Sequence, residues 1–340
     1  MLIPTIGRAE KLARCLTRLA NQTLDRSRFE VLVGVDGRAD GADPDRGDRE
    51  AADAAQALAE RTAGSMRAVV HQFEHAGPGA TRNRLVEHAR GELILMLNDD
   101  VLPEPELLEA HVREHARWRG PAMVLGAAPW VVPGEDTLFD RLIRETSMVF
   151  FYDRMKEMLE DGRADADHDW GFRHAWTLNL SLPRRVFAAV GGFDERLTRA
   201  CYEDIEFGYR VWKSCGAPVR YASGAVVRHD HRIMPEDYLR RERMMGAAAR
   251  VFAEASPLCA MEVFGRDIRS REEVEYSRAF VERERGAAMR LRETFAGWAK
   301  VPSTAIDGPH AGAMLRGLYE HHLLLKRWVW RSGLLDAGGA

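Results

Sequence analysis

The sequence predicts an α/β fold: a mainly parallel β-sheet flanked by helices, followed by a helical extension at the carboxyl end. Three observations predict it. Over the first hundred or so residues, short apolar runs alternate with segments whose apolar residues recur at helical spacing, the signature of strands joined by crossover helices. Leu93-Ile94-Leu95-Met96-Leu97 is apolar without alternation, as a strand covered on both faces requires. From Pro235 onward the chain becomes Arg- and Ala-rich with amphipathic helical spacing.

The elements follow in order. Leu2-Ile3 is a short strand running into the loop Pro4-Thr5, and residues 10–22 carry helical spacing at Leu12, Cys15, Leu16 and Leu19. Residues 29–35 form a β-rich run stopped by Asp36-Gly37, and residues 38–48, rich in Asp, Gly and Pro, form a loop before an Ala-rich helix ending near Arg61. Residues 67–72 give a third strand, 81–89 a helix, and 92–97 a buried strand ending at Asn98-Asp99-Asp100. Sheets of this kind bind ligands beyond the carboxyl ends of their strands, where that acidic triplet falls. Helix is expected from Pro103 to Trp118, strand over 122–132, helix over 136–163, a polar loop over 165–170, and strand over 177–182. A helical turn at 185–190 ends at Gly191-Gly192, and the later helices break near Gly265 and across 302–309.

Charge and cysteine usage exclude several classes. The 340 residues carry 49 Lys and Arg against 52 Asp and Glu, a formal net charge of -3, so no basic field points to nucleic acid. Cys15, Cys201, Cys215 and Cys259 form neither a CxxC pair nor a secreted-type framework. The absence of a signal-peptide pattern and of a long apolar span leads to the expectation of a cytoplasmic protein.

The chemistry is carried by a few clusters. Adjacent carboxylates at Asp99-Asp100 repel one another, so a divalent cation would make them tolerable; the same residues also read as a helix cap. Glu203-Asp204 opens an amphipathic helix whose dipole favours negative charge, either as simple capping or as a general base for an acceptor hydroxyl. Gly77-Pro78-Gly79-Ala80-Thr81-Arg82-Asn83 is a Gly/Pro loop entering a helix, where backbone amides and Arg82 suit an anion. It matches neither the phosphate-loop nor the dinucleotide pattern, which argues against an ATPase and a nicotinamide enzyme. Asp36 reads as a contact to a base or ribose, or as a turn residue. His229 and His231 alternate along an extended segment and point the same way, toward a metal shell or into ordinary hydrogen bonds. Trp170 and Trp176 suit either sugar stacking or core packing.

Taken in order, Leu2-Ile3-Pro4-Thr5 with Arg8, Val35-Asp36-Gly37, the 77–83 loop, Gly91-Glu92 through Asp100, Gly191-Gly192-Phe193-Asp194-Glu195 and Glu203-Asp204 resemble the family 2 glycosyltransferases of GT-A fold. The resemblance covers roughly residues 1–232 and departs at three places: Asn98 stands where Asp is usual, Ile6-Gly7 replaces Tyr-Asn, and Val35 replaces the first Asp of a pair. It implies an inverting, metal-dependent transfer of a sugar from a nucleotide-sugar donor, with UDP the first choice of nucleotide, to an acceptor hydroxyl. Pro4, Thr5, Arg8 and Asp36 would hold the nucleoside, with Gly77, Arg82 and Asn83 nearby and Asn98 and Asp99 by the ribose and donor sugar. Asp100 would bind Mn²⁺ or Mg²⁺ on the diphosphate, with His231, or in second place His229, as a further contact. Asp204, beside Glu203, would be the base. Gly192 and Phe193 would shape the acceptor side, with Trp176 as a stacking candidate.

The implied organisation is a catalytic domain at 1–232, split into a nucleotide-binding half (1–100) and an acceptor half (101–232), and a helical extension at 233–340. The acceptor is left open among a glycan, a lipid-linked species, a protein and a small molecule. The basic, aromatic stretch within 315–335 suits peripheral contact with the inner face of a membrane, packing, or a second subunit. The rival readings are a non-catalytic nucleotide-sugar-binding protein and a metal-dependent nucleotidyltransferase, the latter distinguished by pyrophosphate release.

Overall fold

Eight strands make one mixed sheet in the order β3-β2-β1-β4-β7-β6-β8-β5, with β1 at Leu2–Thr5, β2 at Glu30–Asp36, β3 at Arg67–Phe73, β4 at Leu93–Leu97, β5 at Val101–Pro103, β6 at Met123–Ala127, β7 at Asn179–Pro183 and β8 at Val219–His229. These come from a computed structural model describing residues 1–37, 53, 56, 57, 66–118 and 120–337. The expected loop at 38–48 and most of the Ala-rich helix ending near Arg61 lie outside the described residues.

The β1 strand pairs in parallel with β2 and β4, β2 with β3, and β6 with β8. The β7 strand runs antiparallel between β4 and β6, and β5 antiparallel to β8. The parallel pairing brings the ends of β1, β2 and β4 to one edge. Because β7 is reversed, it begins at that edge, with Asn179 opposite Leu97. The β5 strand was not expected from sequence. It follows the acidic triplet directly and sets Val101 opposite His229, which is how residues so far apart in the chain meet.

The chain forms two compact units, Met1–Pro129 with Asp165–His231, and Trp130–Ala164 with Arg232–Ala340. The sheet belongs to the first. There the helix Ala9–Leu19 buries Leu12, Cys15, Leu16 and Leu19, the expected stripe. In the second, Phe139, Leu142, Tyr238, Phe295 and Leu325 share one core, so residues 130–164 pack with the carboxyl-terminal helices rather than with the 101–232 segment to which composition assigns them. The single helix expected over 136–163 is two, Leu138–Glu145 and Tyr152–Glu160. Thr146 breaks it: its hydroxyl donates to the Leu142 carbonyl at 2.6 Å while its backbone is extended, and Ser147 donates to Asp153. Pro235–Ala255, Pro257–Phe264, Arg271–Gly297 and Ala311–Asp336 form the extension as expected. Among the described residues no helix is long and apolar enough to cross a membrane.

Candidate active site

The carboxyl edge of the sheet gathers most of the residues singled out by sequence. Asp36 ends β2, and its buried carboxylate accepts the N–H groups of Ala76 at 2.9 Å and Gly77 at 3.1 Å, with His75 Nδ1 at 3.2 Å. Of the two roles open to Asp36, the turn contact is the one displayed. Gly77 sits at φ 91°, and a Cβ there would lie 2.1 Å from the Thr198 carbonyl oxygen, so glycine is needed for both backbone angle and space. The helix Pro78–His88 starts from this turn.

At the end of β4, Asp99 is fully buried. Thr5 Oγ1 donates to its Oδ2 at 2.6 Å, Arg8 Nε donates to the same oxygen at 3.2 Å, and Arg8 Nη2 reaches Oδ1. Arg8 Nη1 also donates to Asp100 Oδ2 at 2.7 Å. Burial pushes the Asp99 carboxyl above its ordinary value, opposed by Arg8 and Thr5. Asp100 behaves differently: burial opposes its charge, but the His229 ring, Arg8 and His231 outweigh it and hold the carboxyl well below the usual range.

Both histidines reach Asp100. His229 Nε2 lies 3.8 Å from Oδ1 and His231 Nδ1 3.6 Å from Oδ2, with the two rings nearly parallel at 5.9 Å. Between them, the Asp230 N–H donates to the Asp100 carbonyl at 2.8 Å. Lys11 Nζ donates to the Asp230 carbonyl, and Arg14 pairs with its carboxylate. Sequence reasoning missed Lys11 and Arg14. Their three-residue steps from Arg8 along one helix are the signal that would have found them.

Among the described residues no three acidic, histidine or cysteine side chains form a ready metal cage. The donor set still fits a hard cation in part: Asp100 Oδ1 is buried and, among the described residues, accepts no hydrogen bond, and an imidazole lies beside each carboxylate oxygen. Such a set suits Mn²⁺, or Mg²⁺, completed by diphosphate oxygens and water.

Arg82 lies deep in the same edge, 1% exposed. Its Nη2 donates to Asn98 Oδ1 at 3.1 Å, the guanidinium lies 5.8 Å from the Phe193 ring, and Nε and Nη1 have no hydrogen-bond partner among the described residues. Burial lowers its pKa against the pull of Glu203, Asp204 and Asp99. A buried arginine with uncommitted donors is costly unless a ligand accepts from it. Asn83, expected near the donor, spends its amide on the 190–195 loop: Oδ1 accepts the Phe193 N–H at 2.7 Å and Nδ2 donates to the Phe193 carbonyl at 3.0 Å.

The helix Glu203–Cys215 carries three acids in its first turn and ends at Gly216 in the left-handed region. Glu203 is 4% exposed and accepts the Cys201 N–H at 2.8 Å. Burial, then the charge of Asp204, pushes its carboxyl up to about 8, with Arg82 opposing. Burial and the neighbouring charge thus favour its protonated form. Asp204 is half-buried and accepts the N–H of Ile205 at 2.8 Å. Trp176 is buried with His174 at 5.1 Å, packed inward, the commoner fate of tryptophan.

The fold and this edge define an α/β protein of GT-A type. The family model described as Glycosyl transferase family 2 matches residues 1–179, more than half of the 340, and the chain belongs to that family. It is 30% identical over 229 residues to validoxylamine A glucosyltransferase of Streptomyces hygroscopicus subsp. jinggangensis (strain 5008), covering 62% of this chain and 50% of that protein. It is 27% identical over 191 residues to pre-mycofactocin glycosyltransferase of Mycobacterium tuberculosis (strain ATCC 25618 / H37Rv), covering 56% and 37%. The chain thus spans half or less of the length of these curated relatives. Among solved structures it is similar in fold to the mannosyltransferase PcManGT from Pyrobaculum calidifontis in complex with GDP-Man and Mn²⁺, with a TM-score of 0.54, 13% identity, and coverage of 99% of this chain and 84% of that one.

Proposed function

We propose that this chain is an inverting, metal-dependent glycosyltransferase that moves a sugar from a nucleoside diphosphate, UDP in the first instance, to an acceptor hydroxyl. The observation that carries the reading is the buried Asp99-Asp100 pair, bracketed by Arg8, His229 and His231, with Arg82 under the electrostatic influence of both Asp99 and Glu203-Asp204. A relative named for glucosyl transfer and a structural neighbour in complex with GDP-Man and Mn²⁺ support a hexosyl donor and a divalent cation.

In this reading Asp100 and His231, with His229, hold the cation, which when bound neutralises the leaving diphosphate. Arg8, already poised on both carboxylates, supplies a further positive charge at the same edge. The uncommitted N–H groups of Arg82 donate to the nucleotide sugar. Asp204 takes the proton from the acceptor hydroxyl as that oxygen attacks the anomeric carbon, so one displacement inverts the configuration. Glu203 is the poorer base of the two because burial and the charge of Asp204 favour its protonated form. Exclusion of water is left to the donor: the polar loop at 165–170 is tied through Asp169 and Trp170 to Val219, at the opposite end of β8 from His229, and the loop expected at 38–48 lies outside the described residues.

The test is a screen of nucleotide sugars with Mn²⁺, reading nucleoside diphosphate release by the wild type beside Asp204→Asn and Asp100→Ala. Release that needs metal and collapses in both variants supports the mechanism. Donor binding without release under any acceptor makes the chain a binding protein, and release untouched by Asp204→Asn removes Asp204 as the base.

A further inference from the structure

The segment 190–195 is tied to two helices at once. From the helix Glu203–Cys215, Arg210 Nη1 donates to the Val190 carbonyl at 2.5 Å and Nη2 donates to the Gly192 carbonyl at 2.7 Å. The buried Glu206 carboxylate, one turn earlier, holds the same guanidinium through Nε at 2.7 Å and Nη2 at 2.7 Å. From the helix Pro78–His88, the Asn83 amide brackets the Phe193 backbone, and a Cβ on Gly79 would come within 3.1 Å of the Phe193 Cβ. Gly191 and Gly192 both sit at φ 74°, and a Cβ on Gly192 would lie 2.4 Å from Asn83 Oδ1. The Phe193 ring stacks on Phe207 at 4.4 Å, so the loop is also stitched into the apolar face of the Glu203–Cys215 helix.

We propose that Arg210 is a positioning residue for glycosyl transfer: it fixes the 190–195 loop against the helix that begins with Glu203-Asp204, while Asn83 fixes the same loop against the helix carrying Arg82. The loop is then the spacer that sets the reach of Asp204 to an acceptor relative to the donor. This rests on the reading of Asp204 as base. Arg210 acts through the Val190 and Gly192 carbonyls and the Glu206 carboxylate, its hydrogen-bond partners. A fork donating to two carbonyls cannot be replaced by a single ammonium without loss, and a misplacement of about 1 Å costs about 10²-fold in rate.

The experiment compares wild type, Arg210→Gln and Arg210→Lys by amide hydrogen exchange across 190–195 and by steady-state transfer on the donor identified in the screen. Expected for Arg210→Gln are faster exchange of the 190–195 amides, a fall of about 10²-fold in kcat, and a donor KM within about twofold of wild type, the split left when only transition-state geometry is lost. Arg210→Lys, keeping one carbonyl contact, falls between the two. Unchanged exchange at 190–195 overturns the proposal, as does a donor KM rising in step with the fall in kcat, or a lysine variant no better than glutamine. If the wild type releases no nucleoside diphosphate, the enzyme reading fails, and the exchange measurement alone still decides whether Arg210 holds the loop.

Discussion

Replacing Glu203 with glutamine should stabilise the protein in alkaline solution and leave it unchanged in acid. In the native state the carboxyl titrates at about 8, against 4.5 for an ordinary glutamate, so the folded chain holds a proton that the unfolded chain releases. Stability from this group is fully present below pH 4.5 and is lost as pH rises toward 8, at about 1.4 kcal/mol per pH unit. By pH 7 the loss reaches about 3 kcal/mol, an upper figure because Arg82 and Asp204 share the interaction. Glutamine keeps an oxygen for the Cys201 N–H and carries no charge to desolvate. At about 2–4 °C per kcal/mol, the variant should melt about 6–12 °C above wild type at pH 7 and within about 1 °C at pH 4.5. Calorimetry across that range is the assay. An equal difference at both pH values, or a wild type that gains stability between pH 5 and 8 relative to the variant, refutes the assignment of a buried, protonated Glu203.

Other outcomes follow from the same edge. Gly77→Ala adds a side chain at φ 91° against the Thr198 carbonyl, and should cost about 2–4 kcal/mol in denaturant unfolding with an unchanged m-value. Thr5→Val removes the 2.6 Å hydrogen bond to a fully buried carboxylate and should cost about 1–3 kcal/mol by the same measurement. Asp204→Asn should lower kcat about 10²–10⁴-fold with little change in melting temperature, read by nucleoside diphosphate release. Asp100→Ala should abolish tight Mn²⁺ binding, measured by electron paramagnetic resonance of the free ion, whether or not a donor has been identified.

The parallel half of the sheet was legible because β1, β2, β3 and β4 are apolar runs broken by turn residues, so their faces and ends follow from local pattern. The reversed β7 and the short β5 were not, because strand direction and pairing are decided by partners distant in sequence: Asn179 opposite Leu97, and Val101 opposite His229. The acids at Asp99, Asp100, Glu203 and Asp204 announced themselves by adjacency at element ends. Asn83 and Asp36 carried no such mark, since an amide and a carboxylate serve a ligand and a backbone turn equally well, and only coordinates show which N–H groups occupy them. Arg210 lies on the amphipathic helix that Glu203-Asp204 opens, yet nothing local shows that its fork lands on Val190 and Gly192.

The β5 and β8 pairing also imposes an order of assembly. Asp100 and His229 are more than a hundred positions apart, and a ribosome adding about 5–20 residues per second needs on the order of ten seconds to make the chain between them. A histidine partner for Asp100 therefore exists only once β8 has been made and has paired with β5, whereas Arg8, which donates to both Asp99 and Asp100, precedes the acidic pair in the chain.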